Sequence, residues 1–111
     1  MSLINEKQFL EMSDIEKNAF IGHYVFDTPK DTYKWNYVDG WSGQGQGIEH
    51  ANENGFYYRL EVYPENHECI WQVEDISYSG IKLYPDHAYN LDAAIKLAFW
   101  IAYMKALGVI E

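Results

Sequence analysis

Between Phe56 and Tyr63 the chain alternates by face. Phe56, Tyr58, Leu60 and Val62 fall on one side, and Tyr57, Arg59, Glu61 and Tyr63 on the other. A period of two predicts a half-buried β-strand. Pro64 then opens a turn in which Asn66 tolerates a positive φ. The chain returns with Cys69, Trp71 and Val73 inward and Gln72 and Glu74 outward, the pattern of a hairpin partner. The alternation slips at Asp75-Ile76, which predicts a bulge or the end of that strand. Two weaker patterns flank this pair. Residues 80–84, GIKLY, predict a short strand with Ile81 and Leu83 inward, and residues 33–38, YKWNYV, predict one carrying Tyr33, Trp35 and Tyr37 on one face.

The two ends of the chain follow a helical period instead. Asn5 caps a short turn holding Phe9, Leu10 and Met12, and Ser13 with Glu16 forms a capping box. Ile15, Ala19 and Gly22 continue at helical spacing. Val25 and the aromatics of HYVF favour extended backbone, so the helix is expected to fade there, before the break at Pro29. The last helix starts from an Asn90 cap with Asp92 in its first turn and stops at Gly108. One stripe on it holds Leu91, Ala94, Ile95, Ala98, Ile101 and Ala102, and a second holds Leu97, Trp100, Met104 and Leu107. That apolar arc is wider than one core contact needs.

These patterns predict one α+β domain over residues 1–111. Its parts are an N-terminal helical segment, a three- to four-stranded antiparallel sheet and a long C-terminal helix packed on the sheet. A two-layer or helix–sheet–helix arrangement would absorb the apolar surplus, and a homodimer through the C-terminal helix is the other outlet for it.

Charge narrows the partners. The formal net charge is −9, and residues 31–90 carry ten Asp or Glu against Lys34, Arg59 and Lys82. Nucleic-acid binding draws on clustered Lys and Arg, so direct binding is not expected, whereas a protein partner with a basic surface is electrostatically favoured. The longest apolar run, within Ala93 to Met104, is broken by Lys96 and falls short of the ~20 residues that span a bilayer. No membrane association or secretory signal is expected. Cys69 is the single cysteine, which rules out an internal disulfide and fits a reducing cytoplasm.

Candidate chemistry is sparse. Residues 39–55, DGWSGQGQGIEHANENG, hold five glycines but no lysine, and lack the spacing of a phosphate-binding fingerprint. Turn residues follow them, so the segment reads as a mobile strand connection, with Trp41 at its edge as a recognition anchor. His23, His50, His67 and His87 are scattered, and His67 with Cys69 makes no closed metal set. Cys69 lies among Ile70, Trp71 and Val73 with acidic neighbours, the setting of a core thiol rather than a nucleophile. No catalytic residue, cofactor or metal is therefore assigned. The contact residues expected from exposure and residue type are Trp41, Tyr57, Arg59, Glu61 and Tyr63. Together they point to a non-enzymatic acidic binding protein. Two alternatives remain open: a small hydrolase or ligand-binding enzyme using Glu49, His50 and Glu53, and a structural or assembly component.

From Phe56 onward, a strand, a turn, the W-x-V strand of Trp71 and Val73, and then the alanine-bearing LDAAIKLAFWIAYMKALG follow one another. This order resembles small phage-encoded ABA-sandwich proteins, in which a sheet lies between helical layers. The resemblance implies a phage or prophage origin and no defined chemistry. An accessory, counter-defence or immunity-type inhibitor is the sharper form of the binding role.

Overall fold

A computed structural model describes residues 3–66, 68–80 and 91–111. The elements run α1 (Glu6–Leu10), α2 (Asp14–Phe26), α3 (Trp41–Glu53), β1 (Tyr58–Tyr63), a 3-10 turn (Pro64–Asn66), β2 (Glu68–Val73), β3 (Ile76–Ser79) and α4 (Leu91–Leu107). The architecture is α+β, with a helical N-terminal segment, a three-stranded antiparallel sheet in the order β1-β2-β3, and α4 packed on it. The expected residues at 81–84, the Asn90 cap, His67 and His87 lie outside the described residues.

Local chemistry explains the helix ends. Asn5 with Gln8, and Ser13 with Glu16, both form complete capping boxes. Gly108 takes φ 77 and stops α4. Contrary to the expectation at HYVF, α2 runs through Phe26 and ends on Asp27 at φ 57. Burial of Ile21 and Val25 on one face outweighs the weaker helix propensity of β-branched and aromatic residues.

Two larger expectations fail. The segment 33–38 is not a strand. Asn18, buried in α2, accepts from the backbone N–H of Tyr37 at 2.9 Å and of Val38 at 3.1 Å, and donates to Asn36 Oδ1 at 3.1 Å. Those donors are no longer available to a sheet, and the backbone turns. Tyr37 goes inside, stacked on Phe26 at 4.9 Å, while Tyr33 and Trp35 stay exposed.

The glycine-rich segment is likewise a helix rather than a mobile connection. Gly43, Gly47 and Ala51 recur every four residues and are buried. A Cβ on Gly43 would collide with the Asn36 carbonyl, and one on Gly47 would lie 2.7 Å from both Phe99 Cε2 and Trp100 Cζ2. The glycines let α3 lie against α4 and the 36–38 turn at a distance no larger residue permits.

The slip at Asp75-Ile76 is a tight hairpin turn. Glu74 takes φ 52, and Val73 pairs directly with Ile76. Inward residues Cys69, Trp71 and Val73 are buried as expected. Leu60 and Val62 share their face, opposite Trp71 and Cys69, yet remain 36% and 38% exposed. The reason is placement, since α4 is seated over β2 and β3.

The apolar surplus of α4 is consumed within the chain. Trp71 donates to the Ile95 carbonyl at 2.9 Å and meets Phe99 edge-on at 5.0 Å, which fixes the sheet side. On the other side Trp100 donates to the Tyr37 carbonyl at 2.7 Å, and His50 meets Tyr103 Oη at 2.6 Å. Residues Leu97 through Met104 are all within 1% of full burial, so that stretch exposes no side chain for a dimer through this helix. The middle layer is thus α4, with the sheet on one side and α2 and α3 on the other. Among the described residues no helix covers the far face of the sheet.

Candidate contact surface

That far face is built by strand parity. Tyr57, Arg59, Glu61 and Tyr63 point away from α4, and the β1–β2 register sets Arg59 beside Gln72, Glu61 beside Ile70 and Tyr63 beside Glu68. The β2–β3 register adds Ser79 beside Ile70 and Ser77 beside Gln72.

Its polar groups are tied to one another. Arg59 Nη2 donates to Gln72 Oε1 at 2.8 Å and lies 3.4 Å from Glu61. The Tyr63 hydroxyl donates to Glu61, and that bond, with the carboxylate's charge, raises the Tyr63 pKa above its ordinary value. Glu74 accepts from the Tyr57 backbone N–H at 2.7 Å, and Ser79 donates to Glu68 at 3.1 Å. Tyr57 and Tyr63 stay 54% and 39% exposed, so two rings stand on a face where Glu61, Glu68 and Glu74 outnumber Arg59. Such a face offers ring surface, hydroxyl donors and negative potential, the chemistry that receives Arg and Lys side chains.

Trp41 does not join this group. It opens α3, and its ring lies 5.0 Å from the Lys96 ammonium of α4, on the opposite side of the sheet from Arg59. Lys96 is itself 3% exposed and donates to the Asp39 carbonyl at 2.5 Å and to Asp92 at 2.9 Å. Trp41 therefore covers a buried cation that pins the start of α3 to α4. Sequence reasoning missed that role for Lys96, as it missed Asn18. The signal for Lys96 was its position inside an otherwise apolar run.

The residues of the enzymatic alternative are dispersed around α3. Glu49 and Glu53 are exposed, whereas His50 turns inward against Phe26 at 4.9 Å and Tyr103. A cleft of about 360 Å³ lies elsewhere, lined by Met12, Glu16, Phe20, His23, Tyr24 and Lys30 among others, and His50 is not in its wall. Cys69 is fully buried, and that burial raises its thiol pKa. Among the described residues no three His, Cys, Asp or Glu side chains are grouped to hold a metal ion, and no helix is long and apolar enough to cross a membrane.

No protein-family model matches the chain, and neither a curated protein nor a solved structure matches it.

Proposed function

We propose that this chain is a non-enzymatic acidic binding protein that docks on a basic surface of a protein partner in the cytoplasm. The far face of the sheet supplies the contact, through Tyr57, Arg59, Glu61 and Tyr63. The observation that carries this reading is the open sheet face with two exposed tyrosines among carboxylates. Net charge of −9 speeds encounter with a positive surface, and the rings supply contact area at low entropic cost. Trp41, on the opposite side of the sheet, belongs to the reading only as a separate contact. The phage resemblance favours the sharper form, an accessory, counter-defence or immunity-type inhibitor that blocks its target sterically and electrostatically.

The test is affinity capture from the native host, run in parallel with wild type and with a Tyr57→Ala/Tyr63→Ala variant, followed by mass spectrometry. A partner retained by wild type and lost by the folded variant supports the assignment of this face. A partner retained equally by both removes it.

A further inference from the structure

The free edge of β1 carries a self-complementary pattern. Glu74 N–H donates to the Tyr57 carbonyl at 2.9 Å, so the odd-numbered residues of β1 direct their backbone groups toward β2. Gly80 N–H donates to the Cys69 carbonyl at 2.8 Å, which turns the odd residues of β2 toward β3 and its even residues toward β1, in agreement. Tyr58, Leu60 and Val62 therefore direct their N–H and C=O groups outward, and among the described residues no strand pairs with them. Unpaired edges of this kind are templates for another strand.

Antiparallel pairing of this edge with itself restricts the register. Outward residues must meet outward residues, so a two-fold axis passes through Tyr58, Leu60 or Val62 for pairs that exchange backbone bonds, or through Arg59 or Glu61 between such pairs. An axis at Arg59 sets Arg59 against its own copy, and one at Glu61 sets two carboxylates together. An axis at Tyr58 leaves Arg59 facing Tyr57, and an axis at Val62 sets it against Glu65, which lies in the 3-10 turn beyond the end of β1 and cannot continue the ladder. Only an axis at Leu60 places Arg59 opposite Glu61 of the second copy, and Glu61 opposite Arg59. It also sets Tyr57 opposite Tyr63 and Tyr58 opposite Val62, both aromatic pairings favoured across strands.

We infer that two copies of this chain associate through β1, antiparallel and centred on Leu60, into one continuous sheet. The half-exposed Leu60 and Val62 come together on the α4 side, where the helix, seated over β2 and β3, leaves room for them. The occupant is a second copy, since the charge order is complementary to its own reversal. This association stands apart from the docking function above, and each stands if the other fails.

Sedimentation equilibrium of the full chain across a concentration series tests it. Wild type is expected to dimerise. Arg59→Glu and Glu61→Arg, each of which sets like charges opposite one another at two symmetric positions, weaken the dimer by on the order of tenfold. The swap R59E/E61R, which keeps the net charge of −9, restores it. Weakening by Glu61→Arg is the sharpest arm, because that change makes the chain less acidic and so eases long-range repulsion between copies. Circular dichroism confirms that each variant is folded. A wild type that stays monomeric at the highest concentration overturns the inference, as does a dimer that the single changes leave intact or the swap fails to rescue.

Discussion

Gly45 and Gly47 lie on opposite faces of α3, two residues apart, and the same substitution at each should have opposite effects. At Gly45 an added methyl meets nothing within 4 Å among the described residues. Alanine there gains helix propensity of about 1 kcal/mol over glycine. At Gly47 the same methyl would lie 2.7 Å from Phe99 Cε2 and from Trp100 Cζ2, and closer still to Trp100 Cη2. Neither ring can yield easily. Both are fully buried, and Trp100 is held by its 2.7 Å bond to the Tyr37 carbonyl. Overpacking costs about 1–3 kcal/mol, and a clash with pinned rings belongs at the upper end. After the propensity gain is subtracted, a net loss of about 2 kcal/mol remains. For a domain of this size Gly45→Ala should raise Tm by roughly 4 °C and Gly47→Ala should lower it by roughly 8 °C. Thermal unfolding followed by circular dichroism reads both. Equal shifts of the same sign would refute the packing of α3 on α4, since a mobile segment has no face that distinguishes the two positions.

Three further outcomes are expected. Asn18→Ala strands the buried N–H groups of Tyr37 and Val38 and should cost about 2–4 kcal/mol in urea unfolding, with Asn18→Asp, which keeps the acceptor, losing less. Gln44 is 1% exposed and neither amide atom has a partner among the described residues, so Gln44→Met should stabilise by about 1–3 kcal/mol, and a loss on the same assay would show that the amide is solvated in the folded chain. Burial raises the Tyr103 hydroxyl from 10.0 to about 12, and burial also raises Tyr37 and Tyr78. The folded chain then binds these protons more tightly than the unfolded one. Stability is full below pH 10 and declines as pH rises toward 12, and a flat urea midpoint across that interval would contradict this.

The legible parts of the fold were those written in short-range chemistry. Alternation gave β1 and β2, Asn5 gave a cap and Ser13 with Glu16 a capping box, and Gly108 marked the end of α4. The misread parts depend on contacts distant in sequence. YKWNYV carries a strand's composition, but Asn18 of α2 takes its backbone donors from nearly twenty residues away. A spacing of two joins Gly43, Gly45 and Gly47 and matches no phosphate-binding fingerprint. The informative spacing was four, through Gly43, Gly47 and Ala51, a small-residue stripe that only makes sense once Trp100 and Phe99 stand opposite it. The contact surface divides in the same way. Strand parity was enough to group Tyr57, Arg59, Glu61 and Tyr63, whereas Trp41 could not be separated from them until Lys96 was seen beneath its ring.

The most direct test of the docking account is the association rate constant of this chain with its captured partner, measured by stopped flow from low to high salt. If the acidic tyrosine face guides and holds a basic surface, the association rate constant falls steeply as salt rises, and the Tyr57→Ala/Tyr63→Ala variant associates at a similar rate but dissociates faster. A rate constant indifferent to salt, together with unchanged dissociation of the variant, would contradict it.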